Sequence, residues 1–205
     1  MSIDHTLSNA IGEFSLTLAK KALLHQNTTN YSASPSCIFM VLAMVHVGSK
    51  STSGDELTKQ LGVDFSSIFT SGEFEKHRLS LAMNELFKKM NERSEIYSKI
   101  FSRMALNDKY AHVLETVFKS TIEAIDFHNK KESVAKINSW VSDCTNNRIN
   151  DILTESQIHD NIAFVLINII FFKSEWKNKF NSKDSIWVGG ESRVHDTKMH
   201  CAFVR

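Results

Sequence analysis

The sequence predicts an α+β fold, with several helices and mixed or antiparallel sheet gathered in one domain over residues 1–205. Two patterns and one absence point there. Helical spacing of apolar residues dominates the first ninety positions, and β-type runs thicken later. No regular alternation of strand and helix of the βαβ kind is present, and no repeat, low-complexity tract or linker divides the chain. With 205 residues, 42% of them hydrophobic and 23% charged, the chain is long and apolar enough to bury a sizeable core.

Ile3, Leu7, Ile11, Phe14, Leu18 and Ala22 recur every three or four residues, which puts one apolar stripe on a first helix. Polar Gln26 to Asn30 ends it. Pro35, the only proline, suits the first turn of the next helix, where its missing N–H is no loss. From Cys37 to Val47 every residue except His46 is apolar, so that helix must be wrapped by other elements. Ser53-Gly-Asp-Glu56 has capping-box spacing and predicts a short helix stopped by Gly62. Leu79, Met83, Leu86, Phe87 and Met90 place a helix over 73–91. A strand is expected over Ser94–Arg103, a helix near Asp108–Phe118 and a strand near Ile122–Phe127. Asn129, with Glu132 three residues on, caps a helix whose apolar face is Val134, Ile137, Val141 and Cys144. Ala163–Phe172, apolar but for Asn168, reads as a strand covered on both faces. The tail from Ile186 alternates and turns at Gly189-Gly190, as a hairpin does.

Several function classes are excluded at this level. Twenty-four Lys and Arg against 23 Asp and Glu leave a net charge of +1, which gives no electrostatic reason to expect nucleic acid or an anionic membrane as partner. No basic start followed by an apolar run opens the chain, and the longest apolar runs are too short to span a bilayer, so a cytoplasmic protein is expected. Cys37, Cys144 and Cys201 are odd in number and widely spaced, as reduced thiols are. The sequons at Asn27 and Asn30 read as incidental in that setting.

His195 and His200, five apart on a strand, point to opposite faces and cannot converge on a metal. No nucleophile elbow, phosphate-binding P-loop or dinucleotide fingerprint occurs, so no cofactor and no enzymatic activity are expected. Cys144 reads as an inert core thiol. Lys76, His77, Arg78, Lys88, Lys89 and Arg93 are interleaved with Glu73, Glu75, Glu85 and Glu92, which makes a solvated mixed-sign face and not a polyanion site. Asn168 is the most informative residue. A carboxamide inside Phe164-Val-Leu-Ile-Asn-Ile-Ile-Phe-Phe172 costs about 1–3 kcal/mol if buried without partners, so it must meet a polar group from elsewhere in the fold.

Four ordered motifs then resemble one family. Tyr31-Ser-Ala-Ser-Pro35, with Leu42-Ala-Met44, Gly48, Thr52 and Gln60-Leu-Gly62, resembles the serpin segment that enters and follows the buried central helix. Asp126-Phe127, Ile137-Asn-Ser-Trp-Val141, Thr145-Asn and Ile149-Asn-Asp-Ile-Leu153 are similar to the serpin helix lying across the main sheet. Val165-Leu-Ile-Asn-Ile-Ile-Phe-Phe-Lys173, with Trp176 and Phe180, resembles the family's central strand, and Asp196-Thr-Lys-Met-His200 a later strand with a Met-His pair.

The resemblance implies a serpin-type fold of three sheets and a serine protease inhibitor. In that family a cleaved reactive loop inserts into the main sheet and distorts the trapped enzyme. Ser34 and Asn168 match members of the polar cluster where the sheet opens, and Trp176 matches the tryptophan where insertion begins. Cys37 stands where the family usually has a second cluster serine, and Asn147 where it has a turn glycine. The family's chains run to nearly twice this length. The resemblance therefore implies that the C-terminal half with the reactive loop is missing here, and that this form alone does not inhibit. A serine protease is the expected partner of a full-length form, a full-length serpin a further partner, and an extracellular site the alternative location. The other reading is a non-inhibitory interaction module that completes the sheet of a full-length relative.

Overall fold

The computed structural model describes residues 5–25, 33–92, 94–172 and 200–204. The first helix, α1 (His5–His25), buries Leu7 and sets Phe14 edge-on to Phe39, their ring centres 5.5 Å apart. Helix α2 (Pro35–Gly48) buries Cys37, Phe39, Met40, Ala43, Met44, His46 and Val47, as a helix apolar on nearly all sides must. It is wrapped by α1, α3 (Ser51–Leu61), α4 (Ser66–Thr70), α6 (Asp108–Val117) and strand β3 (Phe164–Phe172). Gly62 ends α3 in the left-handed conformation, φ 68°, that glycine adopts without strain.

Three boundaries differ from expectation. Helix α3 begins at Ser51, not at the Ser53 capping box, because α2 stops at Gly48 and Ser49-Lys50 alone make the turn. The helix expected over 73–91 is divided. Phe74–Lys76 form a single 3-10 turn that buries Phe74, and α5 runs from Arg78 to Asn91. Its cap is His77, extended at φ −61° and ψ 138°, whose Nδ1 accepts from the Leu79 N–H at 3.3 Å. The strand expected at 122–127 is Ser120–Ala124 (β2). Its register is dictated by parallel pairing to β1 (Ser94–Ser102), which ends where Ser102 meets Ala124.

Helix α7 (Lys130–Cys144) starts at the expected cap, with Asn129 Oδ1 accepting from the Glu132 N–H at 3.4 Å. Strand β4 (His200–Val204) pairs antiparallel with β3. The Gly189-Gly190 turn and Trp176 lie outside the described residues.

The sheet runs β2-β1-β3-β4, parallel between β2 and β1 and antiparallel elsewhere. Because strand side chains alternate, it has two lined faces. Ile100, Leu166, Ile170 and Ile122 join the large core that also holds α1, α2, α5 and α6. Phe101, Ile167 and Ile169 join a second core with Ile137 and Val141 of α7. β3 is therefore covered on both faces, and Asn168, in phase with Leu166 and Ile170, faces the larger core.

Candidate functional site

Ser34 stands at the N-cap of α2, with its Oγ accepting from the Cys37 N–H at 3.4 Å. Its hydroxyl satisfies one of the free N–H groups of that helix end. Cys37, one turn in, is 1% exposed and packs in the large core that Leu166 of β3 also enters. α2 and β3 are in direct contact. Cys37 and Asn168 thus flank the same interior, but among the described residues no hydrogen bond joins Ser34 to Asn168. Ser34 serves its own helix.

The partner of Asn168 comes from the neighbouring strand. Asn168 is fully buried, and its Nδ2 donates to Ser98 Oγ at 2.5 Å. The two residues face each other in the β1–β3 register, and Ser120 of β2 faces Ser98 in turn. A row of three small polar side chains therefore crosses three strands under the helices. Among the described residues it is only half satisfied, since Asn168 Oδ1 and Ser120 Oγ are buried without hydrogen-bond partners. A buried acceptor left without a donor costs about 1–3 kcal/mol. Such a row holds the strands together less well than apolar packing of the same volume would.

Sequence reasoning found Asn168 and missed Ser98 and Ser120. The signal for Ser98 was available: it sits between Ile96 and Ile100 in strand phase, a polar residue flanked on that inward face by two apolar ones. Ser120 carried no such signal, because it opens its strand directly after Lys119, a residue in the left-handed region with φ 55°.

On the opposite face, α7 is tied down at its border. Glu123 of β2 accepts from Lys99 of β1 and Lys136 of α7, each at 2.5 Å. These two bonds, Lys136 first, hold the Glu123 carboxyl below the usual carboxylate range. Lys99 Nζ also lies 5.5 Å from the Trp140 ring centre and 5.3 Å from that of Phe101.

Asn138 anchors the returning chain. Its Nδ2 donates to Leu153 O at 2.9 Å, and its Oδ1 accepts from the Ile152 and Leu153 N–H groups at 3.2 and 3.1 Å. Beyond the helix, Asn146 and Asn147 both take left-handed φ, 52° and 58°, as asparagine tolerates. Burial pushes the Cys144 thiol up, away from the thiolate a nucleophile needs. Of the basic residues before and along α5, Lys76 pairs with Glu73 at 3.0 Å, Lys89 pairs with Glu85 at 3.2 Å, and His77 is a cap.

The geometry describes a sheet with a polar seam under its helices. Comparison with known proteins bears on its origin. The family model for serpins (serine protease inhibitors) matches residues 9–186. Human Serpin B3 is 28% identical over 195 residues, covering 88% of this chain and 50% of its own length. Human antithrombin-III is 30% identical over 186 residues, covering 87% of this chain and 40% of its own. The solved structure of cleaved Serpin 42Da superposes with a TM-score of 0.76 at 23% identity, over 89% of this chain and 48% of that one. The chain thus spans about half the length of the relatives and structures it matches. With a family match over most of its length and a central strand, buried helix and sheet-crossing helix arranged as that fold requires, the chain belongs to the serpin family.

Proposed function

We propose that residues 1–205 form the helical face and the opening seam of a serine protease inhibitor that works by taking a cleaved reactive loop into its sheet. The half-satisfied Ser120–Ser98–Asn168 row carries this reading. A sheet meant only to be stable would fill those positions with apolar side chains. One that must part between its central strands gains from polar groups that can exchange partners as a new strand arrives.

On this reading Ser34 and Cys37 hold the start of α2 beneath the seam, Asn168 is its latch, and Trp176 marks the end where insertion begins. The target is a serine protease acting on a protein that also carries the reactive loop. Residues 1–205 supplied alone trap nothing. The test is a denaturing gel after incubation with trypsin-like and chymotrypsin-like proteases. The 205-residue chain is expected to give no SDS-stable complex, whereas a version extended by a serpin C-terminal half carrying a reactive loop is expected to give one. A covalent complex with the 205-residue chain alone would sink the proposal.

A second reading has one observation in its favour: the edge of β3 takes up a five-residue strand, β4, by antiparallel pairing. A chain of this kind acts as a non-inhibitory module that completes the sheet of a full-length serpin. Co-elution with such a serpin, lost when a reactive-loop peptide is added first, separates this reading from the inhibitory one.

A further inference from the structure

The one polar residue in the Cys37–Val47 run of α2, His46, has no part in the seam, yet it is built into a closed set of contacts. Its ring is fully buried at the C-terminal end of α2, edge-on to the Phe65 ring with centres 6.3 Å apart. Nδ1 accepts from the Phe65 backbone N–H at 3.4 Å, so Nδ1 carries no proton. The proton is then on Nε2, which lies 3.0 Å from Thr58 Oγ1. Thr58 gives its own hydroxyl proton to Gly54 O at 3.0 Å and is free to accept. The neutral imidazole thereby joins three elements: α2 by its own backbone, α3 through Thr58, and the start of α4 through Phe65. Phe65 is also part of a chain of ring contacts running to Phe39 at 5.8 Å and Phe118 at 6.3 Å.

A second proton has no place in this arrangement. It would put an N–H on Nδ1 pointing at the Phe65 N–H, two donors meeting with no acceptor between them. The groups that face this end of α2 offer limited compensation. From α3 there is neutral Thr58. From the segment before α4 there is Asp64, half exposed, with Oδ1 3.6 Å from Nε2, too long for a good hydrogen bond. From α6, Tyr110 donates its hydroxyl to Met44 O at 2.9 Å, and its phenol, pushed up to about 12 by burial, keeps its proton at any pH of interest. Among the described residues Asp64 is thus the one charged group facing the ring. Burial of the ring outweighs the opposing pull of Asp64, and His46 titrates below the ordinary imidazole value of 6.5.

We propose that His46 is an acid-sensitive joint: one proton on its ring breaks the tie to Phe65 and loosens the corner where α2, α3 and α4 meet, independently of how the sheet opens. The sign follows from linkage. The opened corner exposes the ring and binds the proton more readily than the closed one, so the closed corner is favoured above about pH 6.5 and loses ground as pH falls from there toward the ring's lowered titration point. Within that window opening rises by up to about tenfold per pH unit.

The experiment is amide hydrogen exchange at Phe65 in the 205-residue chain from pH 7.5 to 5, corrected for intrinsic exchange, together with an NMR titration of the His46 ring. His46→Gln keeps an acceptor for the Phe65 N–H but does not titrate. The parent is expected to show accelerating exchange at Phe65 as the pH falls below about 6.5, and the variant to show a flat profile. Equal pH slopes in parent and variant, or a His46 ring titrating at or above 6.5, would overturn the proposal. If the variant does not fold, the parent alone decides. Phe65 exchange that follows the His46 titration supports the joint, and exchange indifferent to it refutes it.

Discussion

The two faces of the sheet are held by different means. Beneath the helices lies a broad apolar core, with rings of Phe14, Phe39, Phe65 and Phe118 in edge or tilted contact, interrupted by the Ser120–Ser98–Asn168 row. Under α7 the apolar patch is smaller: Phe101, Phe127, Ile137, Val141, Ile158, Ile167 and Ile169. Its border is fastened by charge and amide bonds through Glu123 and Asn138. The first face is strong because of area and has its weakness at the centre. The second has a fully apolar centre and its specific bonds at the rim. Large motions are therefore expected to begin at the seam on one side and at the rim on the other, while the helical core stays intact.

The largest effect is expected in the apolar core under the helices. Phe39→Ala removes a fully buried ring between Phe14 and Phe65 and is expected to cost about 3–5 kcal/mol, read by urea denaturation. A loss below 1 kcal/mol would mean that this face does not dominate stability.

Next in size is the rim anchor. Asn138→Ala leaves the Leu153 carbonyl and two backbone N–H groups without their partner, at a cost of about 1–3 kcal/mol, with faster amide exchange at Ile152 and Leu153. Protection unchanged at those two amides would remove Asn138 from the fastening.

Glu123→Gln should cost less, about 1 kcal/mol, because its carboxylate is partly screened by solvent. It also carries a pH signature. With its carboxyl held low in the folded state, Glu123 contributes stability that is complete above the ordinary value of 4.5 and is lost as pH falls through the depressed folded value. The stability difference between parent and Glu123→Gln should accordingly shrink on acidification below pH 4.5. A difference constant with pH would show that the two lysines do not act through charge.

The smallest equilibrium effect, and the most informative about function, is expected at the seam. Asn168→Leu removes the unpartnered Oδ1 and leaves the total stability within about 1 kcal/mol of the parent, or slightly above it. In a protein carrying the reactive loop it should slow strand uptake and raise the temperature at which heating causes polymerisation. Inhibition and polymerisation both unchanged would mean that Asn168 is no latch.

Much of this was legible along the chain, for identifiable reasons. The run Cys37–Val47 announced a wrapped helix because no exposed face of such a helix is tolerable in water. The Asn129–Glu132 cap and the Gly62 stop were legible because each depends on interactions within a few residues. Asn168 stood out as a polar residue in a run with no polar neighbours. The start of α3, the split before α5 and the extent of β2 were not legible. Each boundary was decided by a constraint outside its own stretch: the short turn from α2, the burial of Phe74, and the length of β1.

From the sequence alone follow most of the helices and strands, the buried central helix, the covered strand and the need of Asn168 for a partner, since periodicity and local capping are properties of neighbouring residues. Only the tertiary structure decided that the partner is Ser98, that Ser120 extends the row, that β4 lies against β3, and that His46 joins three helices through one neutral ring. Those facts depend on strand register and helix packing, which bring together residues dozens of positions apart, and no local pattern encodes which of them will meet.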